Sequence, residues 1–73
     1  MLRADITIRS INQKDGTVFD FCEYYYNTEN LPEQEFIESV ESTKNGIAMY
    51  ACERGGDPVD FVAVLSVEYE EVE

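Results

Sequence analysis

Residues 4 to 12, Ala4-Asp5-Ile6-Thr7-Ile8-Arg9-Ser10-Ile11-Asn12, alternate apolar with polar over their first five or six positions. A period of two sends successive side chains to opposite faces, so the pattern predicts a half-buried strand. Lys14-Asp15-Gly16-Thr17 follows, and Gly16 can take the positive φ that a hairpin turn requires. A second strand is expected from Val18 to Tyr26.

Two registers fit this turn. A two-residue Asp15-Gly16 loop pairs Ile8 with Glu23, whereas a three-residue loop with Gly16 in a bulge pairs Ile8 with Cys22 and Ile6 with Tyr24. The bulged form is preferred, because it gathers Ile6, Ile8, Val18, Cys22 and Tyr24 on one face. The other face then carries Phe19, Phe21 and Tyr25, more aromatic surface than water-facing strands usually show. Such a face is either covered or binds something.

Asn27-Thr28-Glu29-Asn30 reads as a loop and helix entry, with Pro32 in the first turn and Glu33 and Glu35 at the positive end of the helix dipole. Phe36, Ile37 and Val40 form an apolar stripe on a helix expected from Pro32 to Lys44, closed by Asn45-Gly46. Glu35, Glu38, Ser39, Glu41 and Ser42 fall outside the stripe, which makes the exposed side acidic.

A third strand is expected from Ile47 to Glu53, then a hairpin at Arg54-Gly55-Gly56-Asp57. Pro58 precedes a fourth strand, Val59 to Tyr69, whose run Phe61-Val62-Ala63-Val64-Leu65 implies a central position buried on both faces. The acidic end, residues 70–73, is expected to fray. The order is ββαββ: an α+β fold, with one amphipathic helix packed on a roughly four-stranded antiparallel sheet in a single domain over residues 1–73. Ile6, Ile8, Phe36, Ile37, Val40, Phe61, Ala63 and Leu65 are the expected core.

Charge narrows the role. Sixteen acidic side chains against five basic ones, with no histidine, leave a net charge of -11 on 73 residues. That field repels nucleic acid and anionic membranes and attracts basic protein surfaces. Five tyrosines and four phenylalanines, within a hydrophobic fraction of 44%, separate the chain from acidic disordered segments. The N-terminus has no apolar signal region, and no apolar run nears the roughly 20 residues of a membrane span. The cytoplasm is the expected location, that of the host cell if the protein is phage-encoded.

Chemistry is sparse. Without histidine no Ser-His or Cys-His nucleophile can form, and the glycines make no phosphate-binding loop. Cys22 and Cys52 are too few for a disulfide framework or a four-ligand zinc site, and their apolar neighbours predict two buried, reduced thiols. Arg3, Arg9, Lys14, Lys44 and Arg54 are scattered, which disfavours phosphate binding. No catalytic residue, cofactor or metal is expected.

What remains is a surface that binds protein. Glu35, Glu38 and Glu41 on the helix, with Glu68, Glu70 and Glu71 near the end, are the candidate contacts for a basic partner, although a merely solubilising acidic surface explains the same residues more simply. Phe21 and Tyr25 are the aromatic alternative. The first functional reading is a small inhibitor that occupies a basic, nucleic-acid-binding surface of a larger protein. Size and charge match phage and mobile-element anti-defence proteins of the anti-CRISPR or anti-restriction type; no motif carries that comparison. The second reading is an adaptor, antitoxin or assembly protein acting through an aromatic sheet face or edge, as a homodimer. A carboxylate-based enzyme or metal binder is a third and weaker one.

Overall fold

A computed structural model describes residues 1–12, 14–54 and 61–73. Its elements are β1 (Leu2–Ile11), β2 (Val18–Tyr26), α1 (Glu33–Arg54) and β3 (Phe61–Glu71). Among the described residues the fold is α+β, with one helix packed on a three-stranded antiparallel sheet of order β2-β1-β3.

The alternating strand is the centre of the molecule. Ala4, Ile6, Ile8 and Ser10 of β1 are all buried beneath the helix, and β1 is hydrogen-bonded on both sides. From the helix, Phe36, Val40, Ala48, Ala51 and Cys52 complete the core, with Val62, Val64, Val67 and Tyr69 of β3 packed against it.

The expected third strand, Ile47 to Glu53, is instead the continuation of α1. Asn45-Gly46 does not stop the helix, because the apolar stripe resumes beyond it. Val40, Ala48 and Ala51 recur on the buried side at helical spacing, and Ala48 and Ala51 are strong helix formers. Gly46 costs about 1 kcal/mol relative to alanine in a helix interior; burial of the following turns outweighs it. Among the described residues the sheet therefore has three strands rather than four. The expected turn at 55–57 lies outside the described residues.

Neither expected hairpin register occurs. Ile8 pairs with Phe21 and Ile6 with Glu23. The loop is longer than either alternative: Asn12 N–H bonds the Thr17 carbonyl at 3.0 Å, and Gly16, at φ 72°, donates to the Asn12 carbonyl at 2.8 Å. The Asn12 and Asp15 side chains accept the N–H groups of Lys14 and Thr17, each at 2.9 Å, satisfying the turn locally. Relative to the preferred register, every β2 side chain changes face. Phe21, Glu23 and Tyr25 join Ile6 and Ile8 on the helix side. Cys22 and Tyr24 face away from it, and Cys22 is exposed rather than buried.

The last strand is an edge, not the centre. The pairing of β1 with β3 shifts between Thr7, opposite Ser66, and Ile8, opposite Val64. Leu65 is the extra residue of that bulge and is 47% exposed, contrary to its expected core position. Ile6, Ile8, Phe36 and Val40 are buried as expected, Ile37 and Ala63 are half-buried, and the Phe61 side chain lies outside the described residues. β3 runs to Glu71, and its end is tied to the start of the chain: Val72 N–H bonds the Met1 carbonyl at 2.8 Å, and the Met1 ammonium bonds Glu71 at 2.6 Å.

Candidate interaction surfaces

Strand alternation gives the sheet two faces. One lies beneath α1, and no described element packs on the other. The open face carries Arg3, Asp5 and Arg9 of β1, Asp20, Cys22 and Tyr24 of β2, and Glu68 and Glu70 of β3. Its charges are organised around the two arginines. Arg3 donates to both carboxylate oxygens of Asp5, at 2.6 and 3.0 Å, and to Glu70 at 2.9 Å, while its guanidinium stands 4.4 Å from the centre of the Tyr24 ring. Arg9 holds Asp20 through two bonds of 2.8 Å. These hydrogen bonds push both arginines above their ordinary pKa and hold Asp20 below the ordinary carboxylate value.

The six candidate carboxylates do not form one patch. Glu35, Glu38 and Glu41 are exposed on α1. Glu41 is bound by Lys44 at 2.9 Å and by the Tyr69 hydroxyl at 3.4 Å, and the lysine bond lowers its pKa. Glu68 and Glu70 lie on the open sheet face, whereas Glu71 sits beside the N-terminus. Glu41, Glu70 and Glu71 thus already hold cations of this chain. Among the described residues Glu35, Glu38 and Glu68 make no ion pair.

Beneath the helix a third surface opens. α1 packs chiefly over β1 and β3 and meets β2 where Tyr25 stacks on Phe36, so the β2 side of the same sheet face is left partly open. The resulting groove, about 580 Å³, runs between the end of β2 at residues 24–26, where Tyr25 is the ring on the helix side, and Thr43, Gly46, Ile47 and Tyr50 on α1. Tyr25 is both groove wall and core neighbour, since its ring stacks on Phe36 with centroids 6.2 Å apart. Phe21 is half-buried and stacks on Phe19, which is 62% exposed, at 5.9 Å. Tyr50, 65% exposed, is a groove residue that the strand reading of Ile47 to Glu53 concealed. The recurrence of Phe36, Val40, Ile47 and Ala51 in steps of four, seven and four was the signal that could have revealed it.

The thiols differ. Cys22 is exposed and Cys52 buried, both are free, and desolvation raises the pKa of each. Among the described residues no three cysteine or carboxylate side chains gather as a metal ion would require. Nor is any helix among them long and apolar enough to cross a membrane. No known protein family, curated protein or solved structure matches the chain.

Proposed function

We propose that the protein is a non-catalytic binding module that occupies a basic, normally nucleic-acid-binding surface of a larger protein. The observation that carries this reading is how the chain disposes of its own cations. Arg3, Arg9, Lys44 and the N-terminal ammonium are each held by a carboxylate of the same chain, so among the described residues the acidic surplus behind the net charge of -11 is presented outward with few free positive groups. Opposite charge across an interface speeds association and orients the partners. Glu35 and Glu38 on the helix and Glu68 on the sheet are the foremost contacts. Glu41, Glu70 and Glu71 contribute to the field while engaged internally. In its most specific form the module is an inhibitor in an anti-defence role, of anti-CRISPR or anti-restriction type, acting in the cytoplasm.

The test is capture of a nucleic-acid-binding protein by the tagged chain, followed by measurement of association rates with salt. Binding should weaken steeply as salt rises, and Glu35→Lys with Glu38→Lys should slow association while leaving the fold intact. A captured partner that binds equally well in high salt, and equally well to the double variant, would rule the reading out.

A further inference from the structure

The two edges of the sheet are built differently. The β3 edge carries a bulge at Leu65 and the carboxylates Glu68, Glu70 and Glu71, all devices that discourage another strand from adding. The β2 edge has no bulge, no proline and no lysine: Val18–Tyr26 pairs with β1 without a register shift, and of its two carboxylates, Asp20 and Glu23, the first is held by Arg9. It also leaves Phe19, Tyr24, Tyr25 and Tyr26 exposed.

The amide directions along β2 follow from one bond. Asn27 N–H bonds the Leu2 carbonyl at 2.9 Å. In an antiparallel ladder, residues facing the neighbour alternate with residues facing away. With Tyr25 opposite Ala4 and Phe21 opposite Ile8, the odd-numbered residues of β2 turn their amides toward β1, and the even-numbered ones turn theirs to the outer edge. The Tyr26 carbonyl already accepts the Thr28 N–H at 2.9 Å. Val18, Asp20, Cys22 and Tyr24 are left to receive a further strand.

We propose that this edge receives a second copy of the same chain, antiparallel, with Cys22 opposite Cys22 on a two-fold axis. Cys22 is the midpoint of the nine-residue strand, so this register pairs β2 along its whole length and sets the outward-facing amides of one copy against those of the other. It places Phe19 opposite Tyr25, Phe21 opposite Glu23 and Asp20 opposite Tyr24, so no carboxylate directly opposes another. Aromatic pairs of this kind favour strand association. At the same point the Arg3 guanidinium over the Tyr24 ring, already held by Asp5 and Glu70, lies on the face where Asp20 of the second copy arrives with its own Arg9, so two ion pairs meet there rather than two like charges. The product is a continuous six-stranded sheet with both helices on one side and the two grooves facing each other across a shared floor. This assembly does not depend on the basic partner proposed above. Its salt dependence has the opposite sign, because two copies each carrying -11 repel until salt screens them.

The full chain is examined by analytical ultracentrifugation over a range of concentrations in low and high salt, and by cross-linking with a short bismaleimide. The expected result is a monomer–dimer equilibrium that shifts to dimer with concentration and with salt. A covalent dimer should form in the parent and in Cys52→Ser but not in Cys22→Ser. Cys22→Pro removes an outward N–H and should abolish the dimer; Cys22→Lys, which sets two ammonium groups face to face at an exposed position, should do the same, with circular dichroism confirming the fold. A monomer under all conditions overturns the proposal, as does a dimer insensitive to Cys22→Lys. A monomer whose edge is taken only by an added lysine-rich peptide also overturns it, and assigns the edge to a basic strand from another protein.

Discussion

The ring of Tyr25 in β2 lies parallel to that of Phe36 in α1, with centroids 6.2 Å apart and an interplanar angle of 4°. On its other side Phe36 meets Tyr69 of β3 edge-on at 6.3 Å, so this buried ring joins the helix to both outer strands across the covered sheet face. Phe36→Ala should cost about 3–5 kcal/mol, as expected for a large-to-small core change, read as a lowered urea midpoint. A loss under about 1 kcal/mol, the scale of ordinary surface changes, would mean that the rings do not organise the core. Tyr25→Ala should destabilise as well. Phe19 and Tyr50, outside this stack, are the cleaner probes of binding.

Gly46 offers a sharper test of the helix. It lies inside α1 with no positive φ, and a β-carbon built on it meets nothing within 4 Å. Gly46→Ala should therefore stabilise the protein by about 0.8–1 kcal/mol through helix propensity and raise the thermal midpoint. Were Gly46 instead a left-handed helix stop, the same change would destabilise.

The thiols should separate kinetically. Under native conditions a maleimide should modify Cys22, which is exposed, and leave Cys52 untouched until denaturant is added. Mass spectrometry of the native reaction should show one adduct, located on the peptide containing Cys22. Because desolvation raises the thiol pKa, labelling of Cys22 should accelerate as the pH is raised above neutrality.

Acid should expose the contribution of the Arg9–Asp20 pair. Hydrogen bonding to Arg9 lowers the folded-state pKa of Asp20 below its ordinary 3.8. The stabilisation is therefore fully present above that ordinary value and disappears as pH falls through the lower, folded one. Asp20→Asn should lower the urea midpoint at neutral pH, and the gap to the parent should close below pH 3.8. A gap that persists unchanged in strong acid would show that packing, not charge, makes the difference.

Several features were determined within single segments of the sequence. The alternation from Ala4 to Ile8 identifies β1 and its buried side, Gly16 marks the turn, and Phe36 and Val40 mark the helix stripe, because each pattern is a periodicity of neighbouring residues. The surplus of carboxylates is equally a property of the chain itself.

Only tertiary structure decided the rest. Ile47-Ala48-Met49-Tyr50-Ala51-Cys52 is short and apolar enough to serve as strand or helix; it is helix because Ala48, Ala51 and Cys52 find a surface on the sheet one side of α1 can cover. The Phe61–Leu65 run is apolar enough for a central strand, yet β1 takes the centre, hydrogen-bonded to both other strands. Whether Leu65 points in or out depends on a register shift opposite Thr7 and Ile8, residues far away along the chain. The side on which Cys22 emerges depends on how the turn at Asn12–Thr17 closes. Local pattern sets the period of an element; which strand neighbours which, and in what register, is a competition among distant contacts that no single segment contains.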